Sequence, residues 1–280
     1  MATFAFAQVD VFTAVPLRGN PLAVVRDADA LPDAQMAAFA RWTNLSETTY
    51  LLRPTAAGAD YRVRIFTPGG ELPFAGHPTL GSCHVWLAAG GQPQGAAVVQ
   101  ECGVGLVRVR RDGARLAFAA PPLRRSGPAE PDVVARLARG LRLAPGAIRA
   151  AQWIDNGPGW VGVLLDSRAT VLALRPDFAA LGELKPGVIG PWDPARDGDA
   201  AQFEVRAFYP SGGINEDPVT GSLNAGLAQW LIGAGLAPAA YVASQGAALG
   251  REGRVHVRRD GADIWVGGDT VRCIAGTLTL

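Results

Sequence analysis

Residues that usually announce a chemistry are scarce in this sequence: its 280 residues include three cysteines, three histidines and two methionines. Cys83, Cys102 and Cys273 are odd in number and far apart, with no CxxC pair and no Cys/His cluster. Neither a disulfide framework nor a zinc site is supported, and no metal is expected. Charge of one sign is missing as well, with 26 Lys and Arg against 25 Asp and Glu. A chain at +1 has no long-range field to hold nucleic acid or an anionic membrane, so neither is an expected partner. No P-loop or dinucleotide-binding glycine pattern follows a strand, which argues against a nucleotide-dependent enzyme. No apolar run reaches membrane-spanning length, and the opening residues lack the basic start and cleavage region of a signal peptide. These absences predict a cytoplasmic protein in a reducing compartment.

What the sequence does have is a core and a repeat. Hydrophobic residues at 49% against 18% charged fit a globular protein of one large or two ordinary domains. Val107-Arg-Val-Arg-Arg-Asp-Gly113 returns as Val255-His-Val-Arg-Arg-Asp-Gly261, a shift of 255 − 107 = 148. Arg64-Ile-Phe-Thr-Pro68 returns as Arg206-Ala-Phe-Tyr-Pro210, a shift of 206 − 64 = 142. Gly76-His-Pro78 is echoed by Glu216-Asp-Pro218, a shift of 216 − 76 = 140, and Gly19 to Val25 more weakly by Gly157 to Val163. Four matches in one order, at about half the chain length, point to duplication. The pattern predicts a hairpin from Val9–Phe12 and Leu22–Val25, a helix over Leu31–Trp42, and strands over Thr48–Leu52 and Tyr61–Phe66. It further predicts a helix over Pro78–Ala89, β-structure over Val98–Val109 and Ala114–Ala119, and in the second half strand Ala201–Tyr209 and helix Pro218–Gly233. Pro-rich Ala120–Pro128 is the expected seam. The domains expected are residues 1–122, joined by a returning strand over 270–280 that has no partner in the repeat, and residues 123–269. Each lobe is read as mostly β wrapped on one long apolar helix.

Two helix starts, at His77-Pro78 and Asp217-Pro218, are expected to lie across a pseudo-twofold axis. Unpaired N–H groups and a partial positive charge at such starts suit a carboxylate. Gly69, Gly70 and Gly76 precede the first, and Gly212, Gly213, Gly221 and Ser222 surround the second. Small residues there let a ligand approach the backbone. Ordinary capping explains Asp217 as well, since Asp is a favoured N-cap. His77 is less easily put down to capping, and it titrates near neutrality. Glu47 lies between a helix and an apolar strand. Partial desolvation against Thr48–Leu52 would raise its pKa; from a reference of about 4.3 it would need to reach roughly 6–7 to shuttle protons well near neutral pH. On spacing alone, a solvated glutamate at a strand start explains Glu47 better.

These same residues resemble the PhzF family of phenazine-biosynthesis isomerases over essentially the whole chain. Val9-Asp-Val-Phe-Thr13 followed by Gly19-Asn-Pro-Leu-Ala-Val-Val25 looks like the family's opening hairpin, and Asn44-Leu-Ser-Glu-Thr-Thr49 like its catalytic-glutamate motif. Phe66 to Leu80 and Glu216 to Ser222 resemble its two helix-start motifs, and Ser244-Gln-Gly246 a turn in its second lobe. The resemblance implies an α+β fold of the diaminopimelate epimerase kind: two pseudo-symmetric lobes, each a β-barrel-like sheet around a central helix, with the site between them. It implies a homodimer, no cofactor, and a small acidic substrate such as trans-dihydro-hydroxyanthranilate. Carried over by motif, Glu47 takes a proton from one carbon and returns it to another. His77 and Asp217 hold polar substituents and help with proton traffic, while Gly76, Gly221 and Ser222 offer donors to the carboxylate.

Diaminopimelate-type epimerases place a cysteine near each helix start. The comparable places here are read as Ala75 and Pro218, so two-thiol epimerisation is unsupported. Competing readings are a cofactor-independent racemase using Glu47 with Asp217, and a small-ligand-binding protein without turnover.

Overall fold

A computed structural model describes residues 1–210 and 215–280; Gly212 and Gly213, expected beside the second helix start, lie outside the described residues. The chain divides into two compact units, Met1–Ala119 with Gly267–Leu280, and Ala120–Val266.

In the first unit the strands follow the apolar alternation of the sequence. They are β1 (Thr3–Val11), β2 (Asn20–Val25), β3 (Glu47–Leu52), β4 (Tyr61–Thr67), β5 (Gly70–Leu72), β6 (Val98–Cys102), β7 (Gly105–Asp112) and β8 (Arg115–Ala119). In β4, Tyr61, Val63 and Ile65 point inward while Arg62 and Arg64 are only half-buried, the period of two that a sheet with one buried face requires. Helix α1 (Asp33–Thr43) buries Met36, Phe39 and Ala40, and it ends where Asn44 takes a left-handed φ of 53°. Helix α2 (Gly76–Ala88) instead buries residues on every side of its first three turns.

The second unit contains β9 (Arg125–Pro128), α3 (Pro131–Gly140), β10 (Ala150–Asp155) and β11 (Trp160–Leu164). Short helices α4 (Arg168–Ala173), α5 (Phe178–Leu181) and α6 (Pro194–Asp197) flank β12 (Lys185–Pro191). Then come β13 (Phe203–Phe208), β14 (Glu216–Asp217), α7 (Gly221–Gly233), β15 (Ala240–Gln245), β16 (Gly253–Asp260) and β17 (Asp263–Gly268); the last strand, β18 (Thr270–Thr279), belongs to the first unit.

The duplication is legible in the ladders. In the first unit β1–β2 is antiparallel, β2–β3 parallel, β3–β4 and β4–β5 antiparallel, β4–β6 parallel and β6–β7 antiparallel. In the second, β10–β11, β11–β12, β12–β13, β13–β14, β13–β15 and β15–β16 repeat that series of senses in the same order. The repeated Arg-x-Phe motif has one job in both. Arg64 donates through Nε and Nη2 to Glu71 at 2.8 and 2.7 Å, and Arg206 to Glu216 at 2.8 Å twice. Each guanidinium also lies over the phenylalanine two residues on, Phe66 at 5.1 Å and Phe208 at 4.8 Å.

This geometry corrects two expectations, the register of the repeat and the place of the tail strand. Glu71 pairs with Phe66 as Glu216 pairs with Phe208, and Gly76 and Gly221 both open helices, so the register of the repeat here is 221 − 76 = 145, not 140. The expected β-structure over 98–119 is a meander: β6 and β7 turn at Gly103-Val104, where Gly105 takes a φ of 102°, and β7 and β8 at Asp112-Gly113. The tail strand has a counterpart after all. β18 pairs with β1 on the side away from β2, as β9, within the proline-rich stretch read as a seam, pairs with β10.

Both central helices press on their sheets at a glycine. A Cβ on Gly81 would meet Leu22 Cδ2 at 2.5 Å, and one on Gly226 the Ile154 carbonyl at 2.5 Å. These positions also differ by 145. No helix among the described residues is long and apolar enough to cross a membrane.

Because backbone cannot yield as a side chain can, Gly226→Ala is expected to destabilise the protein by about 1–3 kcal/mol. Gly233→Ala, near the end of the same helix with open space around it, should be neutral or stabilising by up to ~1 kcal/mol. Urea unfolding of the two variants measures the contrast.

Candidate active site

The helix registers decide what stands at each helix start. α2 begins two residues earlier than the sequence suggests, with Ala75 as its cap, so His77 is the second helical residue rather than a flank. α7 begins three residues later than expected, capped by Thr220. Asp217 is therefore no N-cap. It sits in β14, where the ladder to β13 takes Glu216 and Asp217 before the helix can begin. The residue equivalent to His77 is Ser222, and the two cap positions, Ala75 and Thr220, carry no thiol. Cys83, buried inside α2, has its thiol pushed up to about 12 by burial, away from any nucleophilic role.

In the first unit Glu47, His77 and Gly76 come together. Glu47 opens β3 with its side chain 15% exposed, and its Oε2 lies 3.4 Å from Nε2 of His77, which is 3% exposed. Burial holds the imidazole down to about 3 against the opposing hydrogen bond to the Pro21 carbonyl, so the ring is neutral near pH 7. The contact is accordingly one between a carboxyl group and a neutral ring, slightly longer than a well-made hydrogen bond. Asn20, fully buried at the start of β2, places Nδ2 at 3.3 Å from Nδ1 of the same ring. The strand under Glu47 is anchored to the helix: Ser82 of α2 donates to Thr49 Oγ1 at 2.9 Å. Thr43 and Thr48 hydroxyls meet at 3.2 Å behind it. The helix geometry leaves the N–H groups of Gly76 and His77 without an intrahelical acceptor.

In the second unit Asp217, Gly221 and Ser222 are held by a denser polar network. Thr220 Oγ1 donates to Asp217 Oδ2 at 2.5 Å. Gln245, fully buried at the end of β15, accepts from the Thr220 N–H at 3.0 Å and from Asn224 Nδ2 at 2.9 Å. Its own amide donates to Thr220 Oγ1 at 2.9 Å and to the Asp217 carbonyl at 3.2 Å. The next residue must be glycine: Gly246 has a φ of 98°, and a Cβ there would come to 2.7 Å from the Pro218 carbonyl. Ser222 Oγ accepts from Trp160 Nε1 at 3.0 Å, which leaves its O–H as the group to donate. The Ser222 carbonyl accepts from Asn156 at 2.8 Å. Asn20 and Gln245 stand in motifs that carry the family resemblance but are given no role by it, and Trp160 is not singled out by the sequence at all. Their partners lie 57, 25 and 62 residues away along the chain, beyond the reach of any local pattern.

Comparison with known proteins bears on this geometry. The family model PhzC-PhzF, phenazine biosynthesis-like protein, matches residues 9–276. The chain belongs to this family. It is 36% identical over 267 residues, 92% of this chain and 91% of the relative, to the trans-2,3-dihydro-3-hydroxyanthranilate isomerase of Pseudomonas aeruginosa. It is also 36% identical, over 99% of both chains, to a protein of Schizosaccharomyces pombe named antisense-enhancing sequence 1. A crystal structure of a PhzF family protein from Enterococcus faecalis superposes with a TM-score of 0.81 at 26% identity, covering 100% of both chains. The α+β fold of two similar, helix-centred sheets is the family's, and the chain is an isomerase of the PhzF kind.

Burying His77 neutral has a consequence for stability. Its pKa is about 3 folded against an ordinary 6.5, so between those values the unfolded chain binds more protons and stability falls as pH falls. Its contribution is complete above about 6.5 and is lost progressively toward 3. Urea titrations between pH 7 and pH 4 (a working range of about three units) should show His77→Gln with a shallower slope than wild type, by up to ~1.4 kcal/mol per pH unit. Gln245→Leu, which strands the Thr220 N–H, is expected to cost about 1–3 kcal/mol in the same assay.

Proposed function

We propose that this isomerase moves a proton between two carbons of a small carboxylate-bearing metabolite, cyclic or an amino acid, with Glu47 as the general acid/base. The observation that carries the reading is the pairing of Glu47 with a buried imidazole at the first turn of α2, in a chain similar to an isomerase that acts on trans-2,3-dihydro-3-hydroxyanthranilate. His77, held down to about 3, is a poor base near neutral pH and leaves the proton-carrying role to the carboxylate. Glu47 takes the proton as a C–H bond breaks, the electron pair shifts along the substrate's π system, and the same carboxyl group returns the proton to another carbon. No electrons are gained or lost, so the scheme calls on no redox cofactor. The N–H groups of Gly76 and His77 are suited to an anionic substituent. Asp217, Gly221 and Ser222 are assigned to substrate binding on the motif they share with the family. The homodimer and the cytoplasmic setting expected from the sequence belong to the same proposal.

The test is turnover of trans-2,3-dihydro-3-hydroxyanthranilate and a panel of small cyclic and amino acids in deuterated water. Loss of the starting diene with deuterium at the new carbon is the result expected of wild type. Glu47→Gln, nearly isosteric, should lower the rate by roughly 10²–10⁴-fold. A variant within about threefold of wild type would remove Glu47 from the mechanism. Binding without exchange across the whole panel would favour a non-catalytic binder.

A further inference from the structure

We propose that Lys185 is a substrate-binding residue whose ammonium takes the carboxylate of the substrate, on the sheet face of the second unit where α7 begins. This deepens the reading of a carboxylate-bearing substrate and rests on it.

The chain carries 25 arginines and a single lysine. That lysine opens β12 and is half-buried. The duplicated ladders identify its counterpart. In the parallel pair β2–β3 Leu22 stands opposite Glu47, and in the parallel pair β11–β12 Trp160 stands opposite Lys185, so 160 − 22 = 185 − 47 = 138. The antiparallel ladders agree: Thr48 pairs with Phe66, and the register of β12–β13 brings Pro186, 138 residues after Thr48, to Phe208. The second unit therefore has an ammonium at the place where the first has Glu47.

Residues paired across a ladder project from the same face of the sheet. Trp160 projects toward α7, since its Nε1 donates to Ser222 Oγ, and Lys185 projects beside it. The rings trace the path: Tyr209 lies 6.0 Å from Trp160 between centroids, and Lys185 Nζ lies 4.3 Å from the Tyr209 centroid. Nζ also donates to the Pro158 carbonyl at 2.7 Å. A neutral carbonyl and a ring face fix the ammonium without neutralising it, and the carbonyl takes one of its three N–H groups. Among the described residues no carboxylate pairs with it. A cation drawn partly out of water without a counter-charge is costly, and an anionic ligand supplies one. Ser222, whose O–H is left to donate, is a second donor on the same face. Asp217, held by Thr220 at the same helix start, would repel an acidic ligand, and a cation on this face offsets that repulsion.

The experiment labels the full chain with ¹³C-lysine. One lysine gives one Cε–H correlation, which needs no assignment. The probes are small acids, each with its decarboxylated counterpart: anthranilate with aniline, and L-proline with pyrrolidine. An acid is expected to move the Lys185 signal and its counterpart to leave it in place. Lys185→Met, similar in length and uncharged, is expected to weaken binding of that acid by roughly 10–100-fold and of its counterpart by less than about threefold, as loss of a hydrogen bond between charged groups does. Lys185→Arg, which keeps the charge, should recover most of the affinity. A lysine signal that neither acid moves overturns the proposal whether or not the variants fold. Equal weakening of acid and counterpart does so too, because it marks a lysine that only braces Pro158 and Tyr209. Signal and affinity are read without turnover, so a failed deuterium assay overturns the role of Glu47 and not that of Lys185.

Discussion

A helix buried on every side can lie against a sheet only as closely as its bulkiest contact allows. In both units that contact is a glycine, Gly81 against β1 and β2 and Gly226 against β10. With the helix axis so close, the first turn of each is forced into the polar groups at the strand ends, and those groups hold it. Ser82 reaches Thr49, Asn224 reaches Gln245, and His77 is carried in beside Asn20 and Glu47. The polar contacts of both helix starts follow from that one close approach.

The ancestral unit has been kept as a frame and rewritten as a surface. Ladder senses, the Arg–Glu fork and the helix glycines recur at matching positions. The side chains at the two helix starts do not: Ala75-Gly76-His77 in one unit stands where Thr220-Gly221-Ser222 stands in the other. The frame is boxed in by backbone, whereas the second helical residue, buried in both units, meets side chains of different kinds: Asn20 and Glu47 around His77, Trp160 beside Ser222. That is how one fold offers an imidazole in one half and a hydroxyl in the other.

Much of this was legible in the sequence because it is written in local periods: β4 in the alternation of Tyr61 to Phe66, α1 in Met36, Phe39 and Ala40, the duplication in Arg64-Ile-Phe and Arg206-Ala-Phe. The α7 boundary was misread because Asp217-Pro218 has the composition of a cap and a first turn. A two-residue ladder with β13, fixed by the Arg206–Glu216 fork, outweighs that local preference. Glu47 and His77 could be picked out as candidates, yet nothing in the sequence brings Asn20 to the ring or Gln245 under Thr220. Such contacts belong to the packing of distant strands. The signal that flags Asn20 is a buried amide at a strand start, and burial is what a sequence states least directly.

The pairing of β1 with β18 sets an order on the making of the molecule. Thr3 and Thr279 are partners across 276 residues, so β1 has no neighbour on that side until β18 has been synthesised. The second unit is one continuous stretch, Ala120–Val266, and can close its own ladders while β1 is still waiting. Half of a gene duplication has thus become an insertion within the other half. On a ribosome, the unit that holds Glu47 and His77 is begun before the other and finished after it.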